Sequence, residues 1–216
     1  MTDGNILRHV DHTLLKADAS WAEIEQLCAE AIRFKTASVC IPPSYAGSIR
    51  DAFGGQVNIC TVIGFPLGYN TSAVKIQEAE AALADGAGEL DMVINLGDVK
   101  NHAFDRVQEE ITALKKTAGT KILKVIVETC CLTQEEKIRL CEIVTRCNAD
   151  YIKTSTGFGA AGAAMEDVLL FKEHIGPAVK IKAAGGVKTR EDLVSFLEAG
   201  CDRIGTSFAV ALLAKL

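Results

Sequence analysis

The sequence predicts a (β/α)8 barrel forming a single domain over residues 1–216, on three observations. Eight short apolar or β-branched runs alternate with stretches of helical periodicity. Between Asp11 and Ile204 the step from one run to the next averages about 28 residues, which suits one βαβ unit. No long polar linker breaks the alternation. An open dinucleotide-binding sheet would show an early GxGxxG turn and a nucleotide phosphate loop would show GxxxxGK[ST]; both are absent, which favours the closed barrel.

The elements follow in order. The run Val10–Leu14 leads to a helical pattern at Trp21–Phe34, for which Ser20 is the expected N-cap. Ser38–Ile41 leads to a shorter pattern from Ser44 to Ala52. Asn58–Ile63 precedes Ser72–Asp85, with Ser72 expected as N-cap and Gly86 as C-cap. Glu89–Ile94 precedes Phe104–Thr117, closed by Gly119. Ile122–Val127 precedes Thr133–Cys147, which Thr133 and Glu136 open as a capping box. Tyr151–Thr154 precedes Met165–His174, with Gly176 at its end. Val179–Ala183 precedes Arg190–Ala199, bracketed by Thr189 with Asp192 and by Gly200. Arg203–Gly205 leads to a last helix, Phe208–Leu213.

Composition narrows the function. The formal charge is −5 with both signs interspersed and no basic cluster, which argues against a nucleic-acid partner. No apolar run approaches the roughly 18 residues of a membrane span, and the start MTDGNILRHVDHT lacks the regions of a signal peptide, so no membrane role and a cytosolic location are expected. The eight cysteines are too dilute for a disulfide scaffold and contain no CxxC, so small, buried, reduced thiols are expected; adjacent Cys130 and Cys131 follow a strand, but no His signature beside them argues for reactivity. The four histidines show neither HxxxH nor HExxH, so no metal site is expected.

The chemistry points to two lysines. Lys153 in YIKTSTGFG and Lys182 in KIKAAGG each close an apolar run and precede small residues and glycine. An ammonium at a buried strand end is costly unless something uses it, and two brought together repel, which favours a neutral amine on the less solvated one. A neutral lysine is a nucleophile toward aldehydes. In a barrel, active groups collect at the carboxyl ends of strands, where the fourth to seventh strands offer Asp91, Lys124, Lys153 and Lys182. Lys124 shares a strand face with Ile122 and Ile126. An Asp91–Lys124 pair that only holds the barrel together and a catalytic pair are both compatible with the sequence. Gly157, Gly185 with Gly186, and Gly205-Thr206-Ser207 follow the last three strands, where main-chain N–H groups and a helix beginning near Ser207 suit a phosphate.

These residues resemble the 2-deoxyribose-5-phosphate aldolase family. VDHTLL, VCIPP, TVIGFPLG, ELDMVINLG, LKVIVET, DYIKTSTGF, KAAGGVKT and RIGTS stand in that family's order and spacing over nearly the whole chain. KTSTGF with a downstream KAxGG is the most specific part. The resemblance implies a class I aldolase in deoxyribose catabolism that cleaves 2-deoxy-D-ribose 5-phosphate to D-glyceraldehyde 3-phosphate and acetaldehyde, without metal or organic cofactor, as a homodimer in the cytoplasm. It implies Lys153 as the Schiff-base lysine, Lys182 as the neighbour that promotes its neutral form, and Asp91 as the proton-relay carboxylate. Gly157, Gly185, Gly186, Gly205 and Ser207 match its phosphate-binding positions. Lys124 matches a supporting charge, Asp11 and Thr13 match the pocket floor, and Cys40 matches a thiol on the pocket wall.

The chain departs from the family pattern at three places. Ala184 stands where serine is usual, Phe208 follows Ser207 where some members carry a second serine, and the sequence ends at Leu216 without the tyrosine-ended tail of some members. Tail-assisted proton transfer is therefore not expected. Two other classes stay open from the residues: a transaldolase-like Schiff-base transferase, and a sugar-phosphate binding protein without turnover.

Overall fold

The computed structural model describes residues 1–213. Eight parallel strands close in chain order: β1 (Val10–Thr13), β2 (Ser38–Ile41), β3 (Ile59–Ile63), β4 (Glu89–Val93), β5 (Ile122–Ile126), β6 (Tyr151–Lys153), β7 (Lys180–Ala184) and β8 (Arg203–Thr206). The seam is β8 against β1, in register from Val10↔Ile204 to His12↔Thr206. Nearly every strand residue is buried, because one face meets the barrel interior and the other the helical layer. That is why the strands read as continuous apolar runs, and why charged residues inside them are informative.

The helices are α1 (Asp3–Leu7), α2 (Trp21–Phe34), α3 (Ala46–Phe53), α4 (Ser72–Ala84), α5 (Leu96–Lys100), α6 (Phe104–Ala118), α7 (Gln134–Arg146), α8 (Met165–His174), α9 (Arg190–Ala199) and α10 (Ala209–Leu213). Reciprocal capping boxes open α2 (Ser20 with Glu23), α7 (Thr133 with Glu136) and α9 (Thr189 with Asp192), each cap stabilising by about 1 kcal/mol. Gly119 and Gly200 are C-caps as expected, while Gly86 and Gly176 lie one residue past the caps Asp85 and Ile175.

Three expectations need correction. Ser72 is the first residue of α4 and Thr71 its N-cap; the Ser72 hydroxyl donates instead to Glu110 on α6 at 3.1 Å. The last helix starts at Ala209 rather than Phe208, whose N–H is taken by the Thr206 hydroxyl at 3.1 Å. Helices α1 and α5 were not expected, since five residues each give no readable period. The expectation about the chain's end at Leu216 lies outside the described residues.

Most apolar side chains pack between the strands and the helices, in one continuous core. A second, small cluster of Cys40, Cys60 and Val62, with Leu15 and Phe65 against it, lies apart. The interior of the barrel also carries charged residues, and the register brings those charges together. Asp91 stands beside Lys124 and Lys153 beside Lys182 on neighbouring strands.

Candidate active site

Asp91 on β4 is fully buried and its carboxylate organises the centre. Its Oδ2 accepts from Lys153 Nζ at 2.6 Å and from Lys182 Nζ at 2.7 Å; its Oδ1 accepts from Lys124 Nζ at 2.9 Å and from the Cys60 thiol at 3.1 Å. Around it lies a ring of further ion pairs. Lys182 Nζ faces Asp11 Oδ2 at 2.5 Å, an ion pair without hydrogen-bond alignment. Lys124 Nζ meets Glu89 at 2.5 Å and Asp11 at 3.6 Å. Arg203 Nη1 reaches Asp11 at 2.5 Å, and its Nη2 reaches Glu89 at 3.0 Å. The exposed, frayed lysine that a strand end usually carries is thus excluded for both Lys153 and Lys182, which are 2% and 0% exposed.

Opposite charges outweigh desolvation throughout. Burial pushes the Asp91 carboxyl up, but Lys124, Lys153 and Lys182 together hold it well below the ordinary carboxylate range. Asp11 is lowered against the same burial by Lys182, Lys124 and Arg203. Burial lowers Lys182, yet Asp11 and Asp91 raise it above the ordinary ammonium range; Lys124 is raised likewise, chiefly by Asp91. Both therefore stay charged. The Cys40 thiol is lowered by its hydrogen bond with Cys60 and, against burial, by the charge of Lys182.

Above this cluster opens a cavity of about 450 Å³. Its lining includes Thr13, Lys153, Gly157, Gly185, Gly186, Gly205 and Ser207, so the structure brings the expected nucleophile and all five expected phosphate positions to one space. Lys153 is the only lysine of the Asp91 cluster that reaches it. Close main-chain packing shapes the glycine-lined side: Gly185 has φ 82°, and a β-carbon on Gly162 would stand 2.2 Å from the Gly185 carbonyl oxygen. No acceptor among the described residues takes the N–H of Gly157, Gly185 or Gly186. Ala184, where a serine was usual, also lines the cavity.

Asp11 and Cys40 are fully buried and neither lines the cavity. Asp11 is a counter-ion for Lys182 rather than a floor that substrate touches, and Cys40 packs with Cys60 rather than standing on the wall. Several residues were not singled out from sequence. Glu89 and Arg203 complete the ion network; Lys16 and Lys188 add positive charge to the cavity lining. Glu128, at φ 56° just after β5, accepts from the N–H of Thr156 at 3.3 Å and from its hydroxyl, and so fixes the loop after β6. A lone acid ending the run ILKVIVE was the available signal for it.

Cys40, Cys60 and Asp91, and likewise Asp11, Cys60 and Glu89, bring three ligand atoms within 4.8 Å. Lys124 Nζ, 3.2 Å from Cys60 Sγ and in contact with all three acids, already fills the place a cation would take.

A model of the DeoC/LacD family of aldolases matches residues 6–214. The chain belongs to that family. A deoxyribose-phosphate aldolase of Clostridium botulinum (strain Alaska E43 / Type E3) is 62% identical over 213 residues, 99% of this chain and 96% of the relative. One of Clostridioides difficile (strain 630) is 55% identical, covering 94% and 93%. The tetrameric deoxyribose phosphate aldolase of Aeropyrum pernix superposes with a TM-score of 0.92 at 31% identity, over 99% of this chain and 91% of that one. The lysine cluster and the glycine loops are thus features of a DeoC/LacD-family chain.

Proposed function

We propose that the chain cleaves 2-deoxy-D-ribose 5-phosphate to D-glyceraldehyde 3-phosphate and acetaldehyde, reversibly, through a Schiff base on Lys153. The observation that carries this is the division of labour among three lysines on one carboxylate. Lys124 and Lys182 are sealed beneath, while Lys153 alone lines the cavity.

Lys182 stays an ammonium and shares Asp91 Oδ2 with Lys153. The neutral Lys153 amine attacks C1 of the open-chain sugar; loss of water leaves a protonated imine, an electron sink. The C3 hydroxyl then gives up its proton, the C2–C3 bond breaks, and the electron pair settles as an enamine on the two-carbon fragment. Asp91 guides that proton through solvent. Held so far below the ordinary range, it does not retain a proton but passes it on, finally to the enamine carbon. Hydrolysis of the imine releases acetaldehyde. The N–H groups of Gly157, Gly185 and Gly186, the Ser207 hydroxyl and the Lys188 ammonium hold the phosphate, so remote binding energy positions the bond that breaks. Gly205 lets the strand pass close to Lys182, whose Cε would lie 3.1 Å from a β-carbon there.

The proposal takes residues 1–216 as one catalytic domain, because the closed barrel uses strands from Val10 to Thr206. No helix among the described residues is long and apolar enough to cross a membrane, and all eight cysteines are free, which fits a reducing cytoplasm. A homodimer is proposed as the assembly, and light scattering tests it.

Borohydride trapping tests the mechanism. The protein is incubated with acetaldehyde, reduced and digested. A reduced ethyl group is expected on Lys153 and is expected to be lost in Lys153→Ala. An adduct spread evenly over surface lysines, with turnover surviving in Lys153→Ala, sinks the assignment.

A further inference from the structure

Cys130 and Cys131 share one 3-10 turn, Thr129–Cys131, between β5 and α7. Both are exposed, whereas the other six cysteines are buried. Their sulfurs lie 3.9 Å apart. A disulfide would have to close that gap to about 2.05 Å with the two Cα atoms only about 3.8 Å apart, below the roughly 4.4 Å at which disulfides become common. A thiophilic atom bonded to both sulfurs at about 2.3 Å with a tetrahedral angle spans about 3.8 Å. The observed spacing matches the bridged geometry and not the disulfide. Burial, together with the hydrogen bond and charge of Cys130, holds the Cys131 thiol above its ordinary range, which slows attack by a single-site alkylating reagent.

The turn is also mechanically tied to the cavity. Cys130 Sγ is 4.0 Å from Glu128 Oε1, the carboxylate that holds Thr156. A β-carbon on Gly159 would stand 3.2 Å from both Cys130 Sγ and Glu128 Cδ, so the loop runs close beside this sulfur with no room for a side chain between them. The Thr129 N–H donates to the Thr154 carbonyl at 2.9 Å. Thr156, Gly157 and Phe158 of the same loop line the cavity.

We propose that Cys130 and Cys131 form a two-sulfur site for trivalent arsenicals, and that filling it shifts the loop at 156–159 and slows turnover. In the binding step two S–As bonds form, the arsenic oxygen leaves with the two thiol protons as water, and arsenic remains trivalent, so nothing is oxidised. The effect on turnover rests on the proposed function, whereas the binding does not.

Phenylarsine oxide is the probe, titrated into the intact protein with mass spectrometry as the readout. One adduct per chain is expected, with loss of two titratable thiols, mapping to the peptide that carries Cys130 and Cys131. It is expected to be stripped by 2,3-dimercaptopropanol and to survive the same thiol concentration of 2-mercaptoethanol. Cys130→Ser and Cys131→Ser are each expected to weaken binding at least tenfold with an unchanged circular dichroism spectrum and unchanged basal activity. Deoxyribose-5-phosphate cleavage is expected to fall several-fold in the parent on binding and not in either variant. An adduct on Cys40 and Cys60, or full affinity in Cys131→Ser, overturns the site. An adduct at Cys130 and Cys131 with unaltered cleavage overturns the coupling to the loop. Failure of the proposed function would show separately, as absent borohydride trapping with the arsenical adduct intact.

Discussion

Asn in place of Asp11 keeps the shape of the side chain and removes one buried negative charge from the centre of the barrel. Asp11 meets Lys182 Nζ and Arg203 Nη1 at 2.5 Å each and Lys124 Nζ at 3.6 Å, and accepts from the Ser38 hydroxyl at 2.8 Å. At 2.5 Å and an effective dielectric constant of about 20, one unit-charge pair is worth roughly 6–7 kcal/mol before desolvation. Desolvation offsets much of this, and breaking a buried pair by removing one partner costs about 3–5 kcal/mol. In a chain of this length each kcal/mol lowers Tm by roughly 2–4 °C, so Asp11→Asn is expected to melt roughly 6–20 °C below the parent at pH 7. The pH dependence has a definite sign. The folded-state value of Asp11 is depressed, so its stabilisation is present above its ordinary value of 3.8 and is lost as pH falls below it. The gap between parent and variant should therefore be constant from pH 7 to about pH 5 and shrink below about pH 4. Thermal and urea unfolding of both proteins across that range make the comparison. A variant that melts within 2 °C of the parent at pH 7, or a gap that widens in acid, would refute the counter-ion role.

Other consequences follow from the same geometry. Lys124 and Lys182 are raised above their ordinary value of 10.5, so their contribution to stability is present below that pH and lost above it; a urea midpoint that begins to fall near pH 8 for reasons other than cysteine chemistry would count against the network. Gly162→Ala puts a β-carbon 2.2 Å from the Gly185 carbonyl oxygen and is expected to raise KM for deoxyribose 5-phosphate more than Gly186→Ala, which meets open space and carries only the roughly 1–2 kcal/mol strain of φ 76°. Equal KM values in the two variants would contradict the phosphate assignment. Lys188→Met is expected to raise KM roughly ten- to 150-fold for the phosphorylated sugar and to leave 2-deoxyribose itself unaffected, the loss of a charge-assisted contact being worth about 1.5–3 kcal/mol.

The alternation that makes the barrel was legible because a parallel strand buried on both faces leaves an unbroken apolar run, and Thr133 with Glu136 or Thr189 with Asp192 marks where a helix begins. Lys153, Lys182 and Asp91 stood out for the same reason: in such a run a charge is an exception. The partners of those charges were less legible. Asp11 and Arg203 meet Lys182 and Glu89 across the barrel from opposite ends of the chain, and no periodicity encodes a contact of that kind. Glu89 opens its strand, where an acid reads as solvated. Cys40 shares the strand face that points inward, but reaching the cavity depends on height along the barrel, which register alone reveals. Ser72 looked like a cap because it has the right chemistry at the right boundary; Thr71 has the same chemistry one residue earlier, and Glu110 decided between them.

The ion network has a further consequence when its charges are counted. Three acids, Asp11, Glu89 and Asp91, face four bases, Lys124, Lys153, Lys182 and Arg203. The interior is electroneutral only when one base is uncharged. Lys124, Lys182 and Arg203 each touch at least two of the acids; Lys153 touches Asp91 alone. It is the member held by the fewest carboxylates, and the protonated imine proposed at that nitrogen would carry the same charge as its ammonium. With all seven groups ionised the interior carries a single surplus positive charge, beneath the cavity that Lys153 lines.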